Sequence, residues 1–326
     1  MPTHSAAASD VGLVRQSNQD SGFAGRFLMV VADGMGGHAG GDVASHVVIR
    51  QLLELDRPFE TPEKARKALR EELIKINGLL IGAVVERPEL AGLGTTVSAL
   101  LRVGDKAVIA HIGDSRIYLL RRGELEQVTD DHTYVQRLVD SGRLTEEEAL
   151  THPRRSVLLR VLGDVDARPE IDTSILTIKP GDRWMLCSDG LAGVVRDDVI
   201  LNVLVTTPGT SDATDALVAA SMRRGAPDNV TVVVMDDRTE PPVESVRLVG
   251  AAAVPISVSA MTPAPRGRRK PSRTLPVATS EIPVVGATAN PAKENDKSGT
   301  PKESPVSPKP APHLGERIAK WFGRGS

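Results

Sequence analysis

Four aspartates in this sequence occupy the same kind of place, one end or the other of an expected strand, and each is followed by a small or turn-forming residue: Asp33-Gly34, Asp114-Ser115, Asp189-Gly190 and Asp228-Asn229. One Asp-Gly at a strand end is ordinary turn chemistry. Four such acids from distant parts of the chain are what a cation site needs if its carboxylates are to converge. Hard divalent ions such as Mg2+ and Mn2+ take oxygen ligands, and a two-ion site sets its ions roughly 3.5 to 4 Å apart, so that both polarise a shared water.

The elements that would position these acids can be read from the apolar pattern. Residues 27–32 (FLMVVA) form a short run with β-branched members that stops at Asp33-Gly34, as a buried strand delivering an acid at its tip would. Residues 42–55 and 62–85 show apolar spacings of three and four, with Pro62 where a first helical turn tolerates it, and predict two helices. Strands follow at 95–102, 107–113 and 116–120, separated by polar turns. Residues 130–149 mix helical periodicity with charge. The stretch to Gly163, with His152-Pro153 and Arg154-Arg155, predicts an exposed loop. Strands are expected at 173–178 and 184–187, helices at 195–205 and 212–223, and a last strand at 230–235 (VTVVVM). Strands, then helices, then strands argue for an α+β sandwich. With 2% aromatic residues, its core must be packed from Val, Leu, Ile and Ala.

Composition changes near residue 238. More than half of the 23 prolines lie beyond it, and residues 239–326 carry 13 basic against 7 acidic side chains, leaving 27 against 35 in residues 1–238. An acidic first part lacks the basic face of a nucleic-acid binder and suits a site that concentrates cations. The second part, rich in Pro, Ser and Ala, is expected to be a disordered tail. Within it, residues 314–324 place Leu314, Ile318, Trp321 and Phe322 on one face of a short amphipathic helix that could dock weakly on an anionic membrane or a partner. The single cysteine, Cys187, excludes a disulfide framework and reads as a small buried apolar residue. Residues 248–260 are too short an apolar run to span a membrane, and MPTHSAAASD lacks the basic-then-apolar signature of a signal peptide, so a cytoplasmic location is expected.

The contexts of the four acids resemble the type-2C metal-dependent protein phosphatase family in its bacterial form. The matching strings are Arg15-Gln16-Ser17-Asn18-Gln19-Asp20, Val31-Ala32-Asp33-Gly34-Met35-Gly36-Gly37-His38, Gly94-Thr95-Thr96, His111-Ile112-Gly113-Asp114-Ser115-Arg116, Leu186-Cys187-Ser188-Asp189-Gly190-Leu191 and Asp228-Asn229-Val230-Thr231, in the family's order. The resemblance implies a four-layer α-β-β-α sandwich over residues 1–238 and two Mn2+ or Mg2+ ions. Asp33 would bridge the ions, the Gly34 carbonyl would bind one of them, and Asp189 and Asp228 would complete the other. Asp114, with Asp189 and Ser156, matches the place of a third, weaker ion. Arg15 would grip the substrate phosphate, Asp20 would orient metal-bound waters, Asn229 would support the site, and His38 is a candidate proton donor to the leaving alkoxide.

The implied activity is hydrolysis of phosphoserine and phosphothreonine on proteins by a monomer, opposing serine/threonine kinases. A phosphate monoester repels hydroxide, so its catalyst must shield charge and generate a nucleophile together, which paired cations do. One position departs from the family pattern: Gln19 stands where a glutamate is usual, which implies a higher metal requirement. Two other readings are a phosphatase dedicated to one regulatory phosphoprotein and a pseudophosphatase; the latter would be expected to lack acids that are present here.

Overall fold

Every residue of the 28–32 run is fully buried, yet successive side chains enter different cores: Leu28, Val30 and Ala32 face one, Met29 and Val31 another. A strand covered on both sides reads as a continuous apolar stretch instead of an alternating one, and this one sits in the middle of the molecule. The computed structural model describes residues 4–164, 168–237 and 247–254, without the side chains of residues 37–39.

In chain order the elements are β1 (His4–Asp10), β2 (Asp20–Ala24), β3 (Leu28–Met35), α1 (Gly37–Leu52), α2 (Pro62–Glu86), β4 (Gly94–Thr95), β5 (Val97–Val103), β6 (Lys106–Ile112), β7 (Arg116–Arg121), β8 (Glu124–Gln127), α3 (Tyr134–Asp140), α4 (Glu146–Thr151), β9 (Asp172–Thr177), β10 (Arg183–Cys187), α5 (Asp189–Ala192), α6 (Asp197–Thr206), α7 (Thr210–Met222), β11 (Val230–Asp236) and β12 (Arg247–Gly250). They build two antiparallel sheets, one ordered β1-β11-β10-β7-β8 and the other β12-β2-β3-β5-β6-β9 with β4 paired to β3. Met29, Val31, Leu100, Ile117, Trp184, Val233 and neighbours fill the space between the sheets. α1 and α2 cover the outer face of the larger sheet through Val48, Leu52, Leu69 and Leu73. The helices α5 to α7 cover the smaller sheet through Leu191, Ile200 and Leu217. This is the expected four-layer sandwich.

Local chemistry sets several boundaries. Thr61 accepts a hydrogen bond from the Lys64 amide and Pro62 opens the first turn, so α2 begins where the sequence predicts. Helix α1 begins at Gly37, five residues before the expected start. Its glycine-rich first turns have low intrinsic propensity but permit close approach: a Cβ on Gly41 would lie 2.7 Å from the Gly34 carbonyl oxygen. Segment 130–149 divides into α3 and α4, the latter opened by a capping box between Thr145 and Glu148.

The expected boundary at residue 238 needs correction. β12 returns to the larger sheet as a strand, with Leu248 opposite Phe23 and Gly250 opposite Ser21, and Ala252 is fully buried in the helix-side core. Four ordered residues with two inward-facing apolar side chains escape a compositional reading because the sequence around them is Pro-rich. The remainder of the expected tail, including the amphipathic segment 314–324, lies outside the described residues. No helix among the described residues is long and apolar enough to cross a membrane. Cys187 is fully buried, which pushes its thiol up to about 12.

Candidate metal and phosphate site

Asp20 and Asp33 are brought together by sheet register, since they stand directly opposite one another on β2 and β3. The backbone of Asp33 is clamped from the end of β4 and the residue that joins it to β5. Its amide donates to Thr96 Oγ1 at 2.9 Å, and its carbonyl accepts from the Thr96 amide and the Thr95 hydroxyl, both at 2.9 Å. Thr96 Oγ1 is in turn 2.7 Å from Ser115 Oγ, in the turn that carries Asp114. These contacts give the Gly94-Thr95-Thr96 string its physical role.

The glycines after two of the acids serve close packing. A Cβ on Gly34 would stand 2.0 Å from the Gly41 carbonyl oxygen, and one on Gly190 only 1.9 Å from the carbonyl oxygen of Asn229. Real side chains do not fit there, so Asp33 is pressed against α1 and Asp189 against the start of β11. Asp189 opens α5 directly after β10. Asn229 ties the opposite loop into place: its Oδ1 accepts from the Gln19 amide at 2.8 Å, and its Nδ2 donates to the carbonyls of Val11 and Ser17 at 2.8 and 3.0 Å. That loop carries Arg15, whose Nη2 donates to Asp228 Oδ2 at 2.7 Å.

The result is a concentration of negative charge. Burial, followed by repulsion from Asp20, Asp189, Asp114 and Asp228, holds the Asp33 carboxyl well above the usual carboxylate range. Asp114 is raised in the same way by burial and by Asp189. Asp189 is raised by burial and Asp228, while a hydrogen bond with Asp33 and the charge of Arg15 act in the opposite direction. Burial pushes Asp20 up to about 7 against the hydrogen bond it accepts from Ser188 Oγ at 2.7 Å. The Arg15 guanidinium is raised by its hydrogen bond to Asp228.

Asp20 Oδ1 and Asp189 Oδ1 are buried and have no hydrogen-bond partner among the described residues. Buried acceptors in that condition cost free energy unless something with positive character meets them. An all-oxygen donor set with mutually repelling carboxylates fits a hard divalent cation. Among the described residues no three of these side chains already close on one point at ligand spacing; unscreened, they repel one another, and Asp228 is turned toward Arg15.

Among the expected site residues, Asp20, Asp33, Asp114, Asp189, Asp228, Arg15 and Asn229 share this region. Gly34 lies within it, its carbonyl against Gly41. Ser156 is exposed in the loop after α4, and among the described residues no hydrogen bond links it to the acids. His38 lies in the first turn of α1, and its side chain falls outside the described residues. Ser188, Thr96 and Asn18 were not singled out by sequence reasoning. Asn18 Nδ2 donates to Ser9 Oγ and its Oδ1 accepts from the Asp20 amide, so it shapes the approach to Asp20. All three lie inside the matched strings, which is the signal that marks them.

A sequence profile of the protein phosphatase 2C family matches residues 14–231. This chain belongs to the protein phosphatase 2C family. It is similar to named bacterial phosphatases. It is 47% identical over 232 residues to the serine/threonine protein phosphatase PstP of Mycobacterium tuberculosis, a match covering 71% of this chain and 44% of that protein. The chain therefore spans less than half the length of that relative. A serine/threonine phosphatase, stp, of Listeria welshimeri is 35% identical over 243 residues, 72% of this chain and 95% of that one. A crystal structure of the catalytic domain of PstP in complex with two manganese ions superposes with a TM-score of 0.66 at 43% identity, covering 72% of this phosphatase 2C chain and 98% of that one.

Proposed function

We propose that this chain is a Mn2+- or Mg2+-dependent serine/threonine protein phosphatase that removes phosphate from phosphoserine and phosphothreonine in proteins. The observation that supports the reading is that Asp33, Asp189 and Asp228, with Asp20 and Asp114, lie close enough to repel one another in one region, next to an exposed arginine. Asp33 and the Gly34 carbonyl are the ligands assigned to one ion, and Asp33, Asp189 and Asp228 to the other. Asp114 with Asp189, and Ser156 from the loop, are assigned to a weaker third ion. Bound cations would lower the pKa of a shared water and shield charge on the phosphoryl oxygens.

The protein's own groups do the positioning. Arg15 stands at the solvent edge, where its planar fork can turn from Asp228 to two phosphate oxygens. Asp20, whose Oδ2 accepts from Ser188 Oγ, keeps a second buried oxygen that would orient metal-bound water. Asn229 keeps the Arg15 loop seated. In the hydrolysis a water oxygen bonds to phosphorus as the ester P–O bond breaks, and the departing serine or threonine oxygen takes a proton, for which His38 is the candidate donor. The two manganese ions of the PstP catalytic-domain structure support paired cations as the cofactor in this reading.

The activity is expected to reverse serine/threonine kinase signalling in the cytoplasm. Gln19 brings no charge to the second ion, so a raised Mn2+ requirement is expected, and Gln19→Glu should lower it. The deciding assay is turnover of a phosphothreonine peptide by the full chain with Mn2+, with EDTA, and with Asp33→Ala. Turnover in the first alone is expected; turnover that survives EDTA or Asp33→Ala overturns the proposal.

A further inference from the structure

After β11 the chain returns to the larger sheet beside Asp20. β12 pairs with β2, and the 3-10 turn Ala251–Ala253 folds back over α1. Polar contacts fix that turn. Arg50 Nη2 donates to the Ala252 carbonyl at 3.1 Å, His46 Nδ1 stands 3.2 Å from the Ala251 carbonyl, and the Ala252 amide donates to Ser21 Oγ at 3.1 Å. From there the bonds run on in one direction. Ser45 Oγ donates to the Gln19 carbonyl at 2.5 Å, so it must receive the proton of Ser21 Oγ, 2.9 Å away. The relay ends on the carbonyl of the peptide that enters Asp20.

A second contact reaches the carbonyl of Asp20 itself. Gly250 has φ +66°, and a Cβ there would stand 2.2 Å from the Asp20 carbonyl oxygen. Only glycine allows this strand to close down on that peptide. The family match ends at residue 231, so the segment lies outside it.

We propose that Arg247–Ala253 is a strap whose seating on β2 positions Asp20, so that the segment sets the affinity of the site for its divalent cation. The proposal rests on the assignment of Asp20 to that site. Buried behind Ser188, Asp20 has no freedom to correct an error in its own backbone, and a strap that bears on the peptides before and after it determines where its unpartnered oxygen points. Gly250, His46 and Arg50 are positioning residues, acting through Asp20 without touching substrate.

The test uses the full chain. Gly250→Ala should unseat the strap, seen as loss of hydrogen-exchange protection at the amides of residues 247–253. It should also weaken Mn2+ binding, measured by water-proton relaxation without substrate, by about 5- to 10-fold, at or below the low end of the effect typical for groups behind the first ligands. At saturating Mn2+ the KM for a phosphothreonine peptide should stay within about twofold of the parent value, since Arg15 is untouched. The double variant His46→Ala with Arg50→Ala, which adds no Cβ at the contact, should shift Mn2+ affinity in the same direction by a smaller factor. Free exchange at 247–253 with parental Mn2+ affinity overturns the proposal, and so does retained protection in Gly250→Ala. A parent chain that binds no Mn2+ removes the phosphatase reading and the strap's role with it, whereas a parent that binds Mn2+ and a variant that binds it equally well removes only the strap.

Discussion

His111 gives this fold an acid limit whose size follows from its surroundings. The ring is 2% exposed, with Nε2 3.0 Å from the Asp130 carbonyl oxygen, Nδ1 3.0 Å from Ser98 Oγ, and the His132 ring 4.8 Å away. Burial, followed by repulsion from His132, lowers its pKa to about 4 from an ordinary 6.5. In the unfolded chain the imidazole protonates near 6.5 and in the folded chain near 4. Between those values the unfolded state binds more protons, so the stability tied to a neutral His111 is complete above about pH 6.5 and drains away as pH falls toward 4. The interval corresponds to about 3 kcal/mol. The assay is urea unfolding of the parent and of His111→Asn, each at a series of pH values between 4 and 7.5. The clustered acids around Asp33, whose raised pKa values act in the opposite sense, are common to both proteins and cancel in the difference. Parent minus variant should shrink by about 3 kcal/mol on going from pH 7 to pH 4. A difference that stays flat over that range, or a His111 ring that titrates near 6.5 by NMR, refutes the reasoning.

Three further outcomes follow from the geometry. Gly190→Ala puts a carbon 1.9 Å from a backbone oxygen and must displace Asp189 or Asn229, so turnover at fixed Mn2+ should fall by about 100-fold while the far-ultraviolet circular dichroism is kept. Arg183 donates to Asp236 and to the carbonyls of Leu204, Thr207 and Pro208 at the end of α6; Arg183→Ala should cost about 3 to 5 kcal/mol in urea unfolding, and the double variant with Asp236→Leu should recover part of it. Arg15→Ala should raise the KM for a phosphopeptide yet lower the Mn2+ concentration for half-saturation by a few-fold, because the exposed pair with Asp228 is worth up to about 1 kcal/mol.

What the sequence could and could not reveal follows from where each residue's partners lie. β3 and β11 were legible because strands covered on both faces are written as unbroken Val-rich runs. α2 was legible because its cap, proline and apolar spacing are all local. β1, with the sequence HSAAASD, and β2, with DSGFA, carry small and polar residues. They become strands only through β11 and β3, which lie far off or across a turn, so no local signal announces them. The acids of the site were readable as strand-end residues in a familiar order. Their supports were not: the Ser188 bond to Asp20 and the Asn229 bonds to the loop of Arg15 join parts of the chain separated by 168 and more than 200 positions. Gly250 was hidden for a different reason, since its meaning lies in a carbonyl oxygen and not in any side chain.

The first strand of the chain lies against the last strand of the smaller sheet, Ala7 facing Val233. During synthesis, therefore, the opening segment must wait until nearly the whole catalytic region has left the ribosome before it finds a neighbour, and topologies of this kind fold slowly. Asp228 arrives with that same late strand. A nascent or prematurely ended chain thus cannot assemble the cluster of acids, and whatever that cluster does begins only once the polypeptide has closed upon itself.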